Sequence, residues 1–297
     1  MSWQMRAVAA YARLLRKPRS YGSARSAERF LHRPKGSPEP PARLAKSRQL
    51  RITRETCPGG FTSYLVSPGG GHTERGSIIY VHGGGYVSEI LAEHWSLIAD
   101  IVDATQRSVD VPIYGLAPNH TAIEAVRFIQ QVLAVAHPPC YLLGDSAGGG
   151  LALAATQVWL SEGGTPPVGL TLISPWLDIA ISNPDAAEVA ARDPWLGIEG
   201  ARHVGRRWAR GLALNDPRVS PIFGRLDNLP PMEIYVGDRD ILMPDCRRLS
   251  ELVGPARSTC HLQAGALHVY PLLPVPEGRH ARRRLISRIA YVMSEAC

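Results

Sequence analysis

Tyr141-Leu142-Leu143-Gly144-Asp145-Ser146-Ala147-Gly148-Gly149-Gly150 joins an apolar run to a Gly-x-Ser-x-Gly pentapeptide, and a helix-forming run rich in alanine and leucine follows at 151–160. A serine with glycine two positions away on either side can occupy a sharp strand-to-helix turn. Only small neighbours tolerate that strained backbone, and the hydroxyl then projects above the strand end. The pentapeptide by itself is weak, because glycine and serine are common enough for it to arise by chance in an ordinary turn. Its setting, a strand directly before and a long helix directly after, carries the reading. Ser146 is therefore a candidate nucleophile on a turn shaped by Gly144, Asp145 and Gly148.

The chain around this turn alternates in the same way. Residues 34–42, with Pro34, Pro38, Pro40 and Pro41, form a connector, and beyond it 50–54 and 61–66 alternate like two antiparallel strands joined through Pro58-Gly59-Gly60. After the turn at Pro68-Gly69-Gly70-Gly71, residues 77–81 read as a buried strand. Helix is then predicted at 92–105, 122–136 and 147–160, with strands at 108–113, 141–143 and 168–174. A helix-prone stretch rich in Ala, Arg and Trp at 179–214 interrupts the pattern. It resumes with a strand at 232–236, a helix around 245–252, a strand at 258–262 and a last helix from about 282 to 293. Such alternation predicts an α/β fold, a mostly parallel central sheet flanked by helices on both faces.

A second chemical feature is His82-Gly83-Gly84-Gly85, at the end of the strand 77–81. Adjacent glycines leave backbone N–H groups free to converge on one oxygen, as the developing charge of a tetrahedral acyl intermediate requires, and the N–H of Ala147 would complete the set. A phosphate cradle would want Lys followed by Ser or Thr after the glycines, and Tyr86-Val87 stands there instead.

A serine hydroxyl needs a base to take its proton, and the base needs an acid to hold it. On a fold of this kind the acid and then the histidine follow the serine in the chain. The loop Gly237-Asp238-Arg239-Asp240-Ile241-Leu242 offers two acids, with Asp245 just beyond. Of the histidines after it, His261 falls within a strand and His280 opens the terminal helix. His268, in Gly265-Ala266-Leu267-His268, lies on the loop after the last strand and is the candidate base.

Composition excludes several classes. No run approaches the ~18 uncharged apolar residues of a membrane span, and Arg6, Arg13, Arg16 and Lys17 break up the N-terminus, so a cytoplasmic location is expected. Cys57, Cys140, Cys246, Cys260 and Cys297 are scattered without a C-x-x-C pair, which suggests reduced thiols rather than a disulfide framework or a zinc site. No metal or other cofactor is expected. The net charge of +7 is uneven: residues 1–50 hold twelve Lys and Arg against Glu28 and Glu39, leaving 21 basic against 24 acidic residues elsewhere. No nucleic-acid-binding motif accompanies this charge, and no nucleic-acid partner is expected. Trp3, Ala7, Ala10, Tyr11 and Leu14 fall at helical spacing with Arg6, Arg13 and Lys17 off the stripe. The stripe is expected to pack on the protein, with weak contact to a membrane surface as the alternative.

In order along residues 77–275, the chain carries His82-Gly83-Gly84-Gly85, then Tyr114-Gly115-Leu116-Ala117-Pro118-Asn119-His120, then Gly144-Asp145-Ser146-Ala147-Gly148-Gly149. Ser174-Pro175-Trp176, Asp216-Pro217-Arg218-Val219-Ser220-Pro221 and Leu229-Pro230-Pro231 follow. Each element is modest alone, but the ordered set resembles the hormone-sensitive lipase-like family of α/β-hydrolases, which includes bacterial carboxylesterases and arylacetamide deacetylases. The resemblance implies a Gly-x-x-Asp-x-Leu acid motif, which selects Asp240 over Asp238. It also implies oxyanion donors at Gly84, Gly85 and Ala147. It further implies a helical cap formed by residues 1–45 and 179–212, over a core of 46–178 and 213–297. The expected activity is cofactor-free hydrolysis of small to medium carboxylic esters through Ser146, His268 and Asp240. Alternatives are a membrane-surface lipase acting on longer acyl chains and a non-catalytic ligand receptor on the same fold, which would lack a triad member. Two positions depart from the pattern: Asn119 stands where the family has Glu, and Val269-Tyr270 follows the histidine where Gly-Phe is common.

Overall fold

The computed structural model, which describes residues 1–71 and 73–296, sets the run around Tyr141 at the centre of a sheet. The strands are β1 (Leu50–Thr56), β2 (Thr62–Pro68), β3 (Ser77–Val81), β4 (Val109–Ile113), β5 (Cys140–Asp145), β6 (Gly169–Ile173), β7 (Met232–Gly237) and β8 (Ser258–Gln263). They form one sheet in the order β1-β2-β4-β3-β5-β6-β7-β8. β2 pairs antiparallel with both β1 and β4, and the remaining pairs are parallel. The helices are α1 (Trp3–Tyr11), α2 (Ala24–Leu31), α3 (Leu44–Ser47), α4 (Ala92–Thr105), α5 (Ala122–Val135), α6 (Ser146–Ser161), α7 (Ala186–Ala190), α8 (Ile198–Ala209), α9 (Met243–Val253) and α10 (Pro276–Glu295).

Side chains that alternate along each strand feed two cores, one on each face. Ile79, Val81, Leu142, Leu172 and Val236 pack with α5, α6 and α9 on one face, while Ile78, Tyr80, Leu143 and Tyr235 pack with α4 and α10 on the other. Burial on both faces explains why the central strands are continuous apolar runs. α6 is buried from Ser146 through Gln157, which matches its nearly all-apolar sequence. Because β3, β5, β7 and β8 run parallel, the loops that follow them emerge at one edge of the sheet. Those loops carry His82 to Gly85, Ser146, Asp240 and His268.

The first helix corrects the sequence expectation. Its buried face is Met5 and Ala9, continued by Ala12, whereas Trp3, Ala7, Ala10, Tyr11 and Leu14 point to solvent. The helix is tied down at its start, where the backbone N–H and the hydroxyl of Ser2 donate to the Glu277 carboxylate. Both faces of this helix have apolar residues at helical spacing; the Met5 and Ala9 face packs into the core, and the anchor fixes the start of the helix in that orientation. α10 also begins six residues before its expected start, with Pro276 in its first turn, where a missing N–H costs nothing. Cys57, Cys140, Cys246 and Cys260 are free thiols, and Cys297 lies outside the described residues. Among the described residues no helix is long and apolar enough to cross a membrane.

α2 and α8 pack against each other. Glu28 accepts hydrogen bonds from His203 and Arg207, which hold its pKa at about 2 with His203 the largest contributor. Below this pair, Trp208 of α8 stacks on Tyr86 with ring centroids 4.2 Å apart and nearly parallel planes, and Trp176 covers the other side of Tyr86. Trp208 and Tyr86 are both fully buried, so Trp208→Ala leaves a large void beside the glycine loop. The expected cost is about 3–5 kcal/mol. Urea unfolding followed by far-UV circular dichroism measures it, and a loss under about 1 kcal/mol would show that this stack holds little.

Candidate active site

Ser146 sits where β5 ends and α6 begins, with a φ of 52°, a conformation that a non-glycine residue rarely adopts. Its carbonyl accepts the N–H of Trp176 at 2.9 Å. Gly148 lets the first turn of α6 press against β3: a Cβ there would stand 2.2 Å from the carbonyl oxygen of Val81 and 2.3 Å from that of His82. The strained turn is thus pressed against the end of β3 and against its own strand, contacts that only glycine at 144 and 148 permits.

From the serine a single line of hydrogen bonds runs through three side chains. Nε2 of His268 lies 2.9 Å from Oγ of Ser146, and Nδ1 of His268 lies 2.8 Å from Oδ2 of Asp240. The other carboxylate oxygen of Asp240 accepts the N–H of Leu242 at 3.0 Å. Asp240 is completely buried. Burial alone would lower the pKa of His268. The charge and hydrogen bond of Asp240, followed by the charges of Asp193 and Asp145, more than offset this and hold it above its ordinary value.

The neighbouring candidates go elsewhere. Asp238 accepts the N–H of Gly265 at 2.7 Å and braces the loop, while Asp245 accepts from the side-chain amide of Asn183. His261 pairs with Glu233, and His280 is exposed on α10.

The glycine loop is tied to the serine turn by Asp145. Its Oδ1 accepts the hydroxyl of Tyr80 and the N–H of Gly83, each at 2.8 Å, and its Oδ2 faces Nε2 of His94 at 3.2 Å. Burial would push the Asp145 carboxyl up, yet the charge of His94 and these hydrogen bonds leave it below the usual carboxylate range. His82 is stacked on Tyr114 and its pKa is pushed down to about 4, first by burial, so it is neutral. Its carbonyl receives the Tyr114 hydroxyl at 2.8 Å, which fixes the start of the loop. Gly84 and Gly85 follow with positive φ, the conformation glycine adopts without strain. Asn119, the departure in the Leu-Ala-Pro element, is exposed.

Sequence reading missed Asp193. This buried carboxylate accepts the N–H groups of Trp195 and Leu196 on Oδ1 at 2.7 and 2.9 Å, and the N–H of Ile241 on Oδ2 at 2.9 Å. It therefore fastens residues 193–196 to the loop that carries Asp240. Lys17 donates to the Asp193 carbonyl at 2.7 Å, which adds the N-terminal segment to the same clasp. Burial and then the charge of Asp240 raise the Asp193 pKa to about 6, against the backbone hydrogen bonds that lower it. In the sequence Asp193 falls within the helix-prone stretch 179–214. Nothing local signals its reach to Ile241.

Ser146 and His268 open into a cavity of about 450 Å3. Gly84 and Gly85 line its floor, Trp195, Leu196 and Leu272 its walls, and Tyr11, Leu15, Arg16 and Tyr21 come from the N-terminal segment. Among the described residues no group of three or more His, Cys, Asp or Glu is arranged to hold a metal ion.

A mostly parallel eight-stranded sheet with a serine on the strand-to-helix turn of its central strand is the architecture of the α/β-hydrolases. Residues 78–272 match the family model described as alpha/beta hydrolase fold. A triacylglycerol lipase from Mycobacterium tuberculosis is 30% identical over 213 residues, which cover 70% of this chain and 43% of the lipase. An acetyl-hydrolase from Streptomyces hygroscopicus is 34% identical over 218 residues, 69% of this chain and 72% of the relative. The crystal structure of a putative esterase from Staphylococcus aureus superposes with a TM-score of 0.81 at 25% identity, covering 94% of this chain and 98% of that one. The chain belongs to the hormone-sensitive lipase-like family of α/β-hydrolases, a family of esterase- and lipase-type hydrolases. The aligned stretch spans less than half the length of that mycobacterial lipase.

Proposed function

We propose that the protein hydrolyses carboxylic esters through Ser146, His268 and Asp240 by way of an acyl-enzyme. The observation that carries this reading is the unbroken hydrogen-bonded line from Oγ of Ser146 through both nitrogens of His268 to Oδ2 of Asp240. Oγ attacks the ester carbonyl carbon while its proton passes to Nε2, giving a tetrahedral oxyanion and an imidazolium. The N–H groups of Gly84, Gly85 and Ala147 hold the oxyanion, and Asp240 holds the imidazolium in place. Collapse breaks the bond to the alcohol oxygen, which leaves with the proton from Nε2. Water, deprotonated by the same nitrogen, then attacks the acyl carbon; the bond to Oγ breaks, Oγ takes back the proton from Nε2, and the acid is released.

The cavity and its aromatic and aliphatic walls suit small to medium acyl esters. The names of the relatives, an acetyl-hydrolase and a triacylglycerol lipase, bracket that range. In this reading residues 1–45 and 179–212 act as the cap, since Leu15, Arg16 and Tyr21 from the first and Trp195 and Leu196 from the second line the cavity above the serine.

A fluorophosphonate probe tests the assignment directly. Intact-mass and peptide analysis should find one adduct per chain, on Ser146, and none in Ser146→Ala. Labelling at another residue, or none, would refute the nucleophile.

The pH dependence follows from the histidine. His268 accepts the serine proton only when neutral, so kcat/KM should fall as pH drops through its raised pKa, with the acid limb above the ordinary 6.5. The charges facing the ring are those of Asp240, Asp193 and Asp145. Removing one of them by Asp193→Asn weakens the support for the imidazolium and should move the limb to lower pH. A limb that stays put or moves upward would show that Asp193 acts only as a clasp.

A further inference from the structure

The exposed stripe that runs along α1 and the π-helical turn that continues it, Ala12–Arg16, is unusual for a surface helix of a globular protein. Trp3 is 73% exposed, Tyr11 59% and Leu14 72%, and Leu15 beside them is 44% exposed. All of them lie on a ridge whose opposite face, Met5, Ala9 and Ala12, is sunk in the core and whose first residues are bonded to Glu277. The stripe is thus held facing outward. Arg6 and Arg13 flank it, exposed and without an ion-pair partner among the described residues. At one end, Tyr11 and Leu15 also line the mouth of the cavity that holds Ser146, together with Arg16, Arg19 and Arg33. Arg16 stacks over Trp195 at 4.3 Å, and Arg19 and Arg33 have no carboxylate partner among the described residues. One exposed acid, Glu93, shares that mouth.

We infer that this ridge docks on an anionic lipid bilayer, with Trp3, Tyr11 and Leu14 seated at the headgroup boundary and the arginines around them paired with lipid phosphates. Large apolar side chains bordered by arginines on a helix that lies flat is the pattern that interfacial helices use. The charge selects the occupant: with twelve basic residues against two acidic ones in residues 1–50, a second copy of this chain would bring like charge to a two-fold interface, whereas an anionic surface complements it. Docking in this pose turns the cavity mouth toward the membrane, so that esters dissolved in the bilayer reach Ser146 without crossing water. The consequence for substrate supply rests on the proposed ester chemistry, but the docking itself does not.

The test sediments the full chain with vesicles of phosphatidylcholine alone and with vesicles containing roughly one third phosphatidylglycerol at low salt. Binding should rise about tenfold or more with the anionic lipid and fall as salt screens the arginines. The double variant Trp3→Ser, Leu14→Ser alters only exposed side chains and should lose about tenfold in vesicle binding with its unfolding midpoint unchanged. Arg6→Gln with Arg13→Gln should weaken the preference for phosphatidylglycerol. Failure of the wild-type chain to bind anionic vesicles overturns the inference, as does equal binding by the Trp3, Leu14 variant. Size-exclusion chromatography adds a third outcome: a wild-type dimer that the variant converts to monomer would make a second copy the occupant and likewise overturn it. Vesicle binding without turnover of any ester would sink the proposed function and leave the docking face standing, and turnover without binding would do the reverse.

Discussion

Ser146→Ala and His268→Ala should each lower kcat on short p-nitrophenyl esters by about 10⁴- to 10⁶-fold, and the double variant should be no worse than the more damaging single one. The expectation follows from the geometry of a relay. Without Oγ there is no atom in line with Nε2, and without the ring the hydroxyl keeps its proton. Either loss removes the whole nucleophilic path, so the second substitution has nothing further to remove. What should persist in the proposed mechanism is binding and oxyanion stabilisation by the glycine loop, which would support a small residual rate over water. The folds should survive, since Ser146→Ala keeps a Cβ in the same turn and the backbone bond from Trp176 remains. Circular dichroism and unfolding midpoints check this. A variant that stays folded and retains near-native kcat would remove that residue from the mechanism.

The sheet and the serine turn were legible in the chain because their signals are local. The strand at 77–81 and the helix at 92–105 match β3 and α4 at both ends, and apolar runs punctuated by glycine and proline mark most of the rest. Ser146, Asp240 and His268 are brought together by parallel strands that end on one edge, which the alternation of strands and helices already implies. Two features were not legible for one physical reason: they depend on partners distant in sequence. α1 carries two apolar stripes, and the large residues suggested that Trp3, Tyr11 and Leu14 face the core. In the fold the smaller stripe, Met5 and Ala9, packs into the core, with Ser2 bonded to Glu277 at the start of the helix. Asp193 likewise lies in a stretch whose composition signals only helix, and only the folded chain carries the N–H of Ile241 to its carboxylate.

Asp240→Asn should lower kcat by about 10⁴-fold, whereas Asp238→Asn should stay within a few-fold of the native enzyme. The two positions differ in what an amide can replace. At position 238 the amide would still accept the N–H of Gly265 through its carbonyl oxygen, so the loop keeps its brace. At position 240 the amide oxygen is claimed by the N–H of Leu242, as Oδ1 is now, which turns the amide nitrogen toward Nδ1 of His268. A donor there makes Nδ1 the acceptor and leaves the ring proton on Nε2, the nitrogen that has to receive the serine proton. The nearby carboxylate of Asp193 is poorly placed to rescue it, because the N–H groups of Trp195, Leu196 and Ile241 already occupy both of its oxygens. The loss should therefore appear in kcat with little change in KM, and it should shrink at high pH, where hydroxide in solution bypasses the blocked base. A larger loss for Asp238→Asn than for Asp240→Asn would transfer the acid to the first position of the loop.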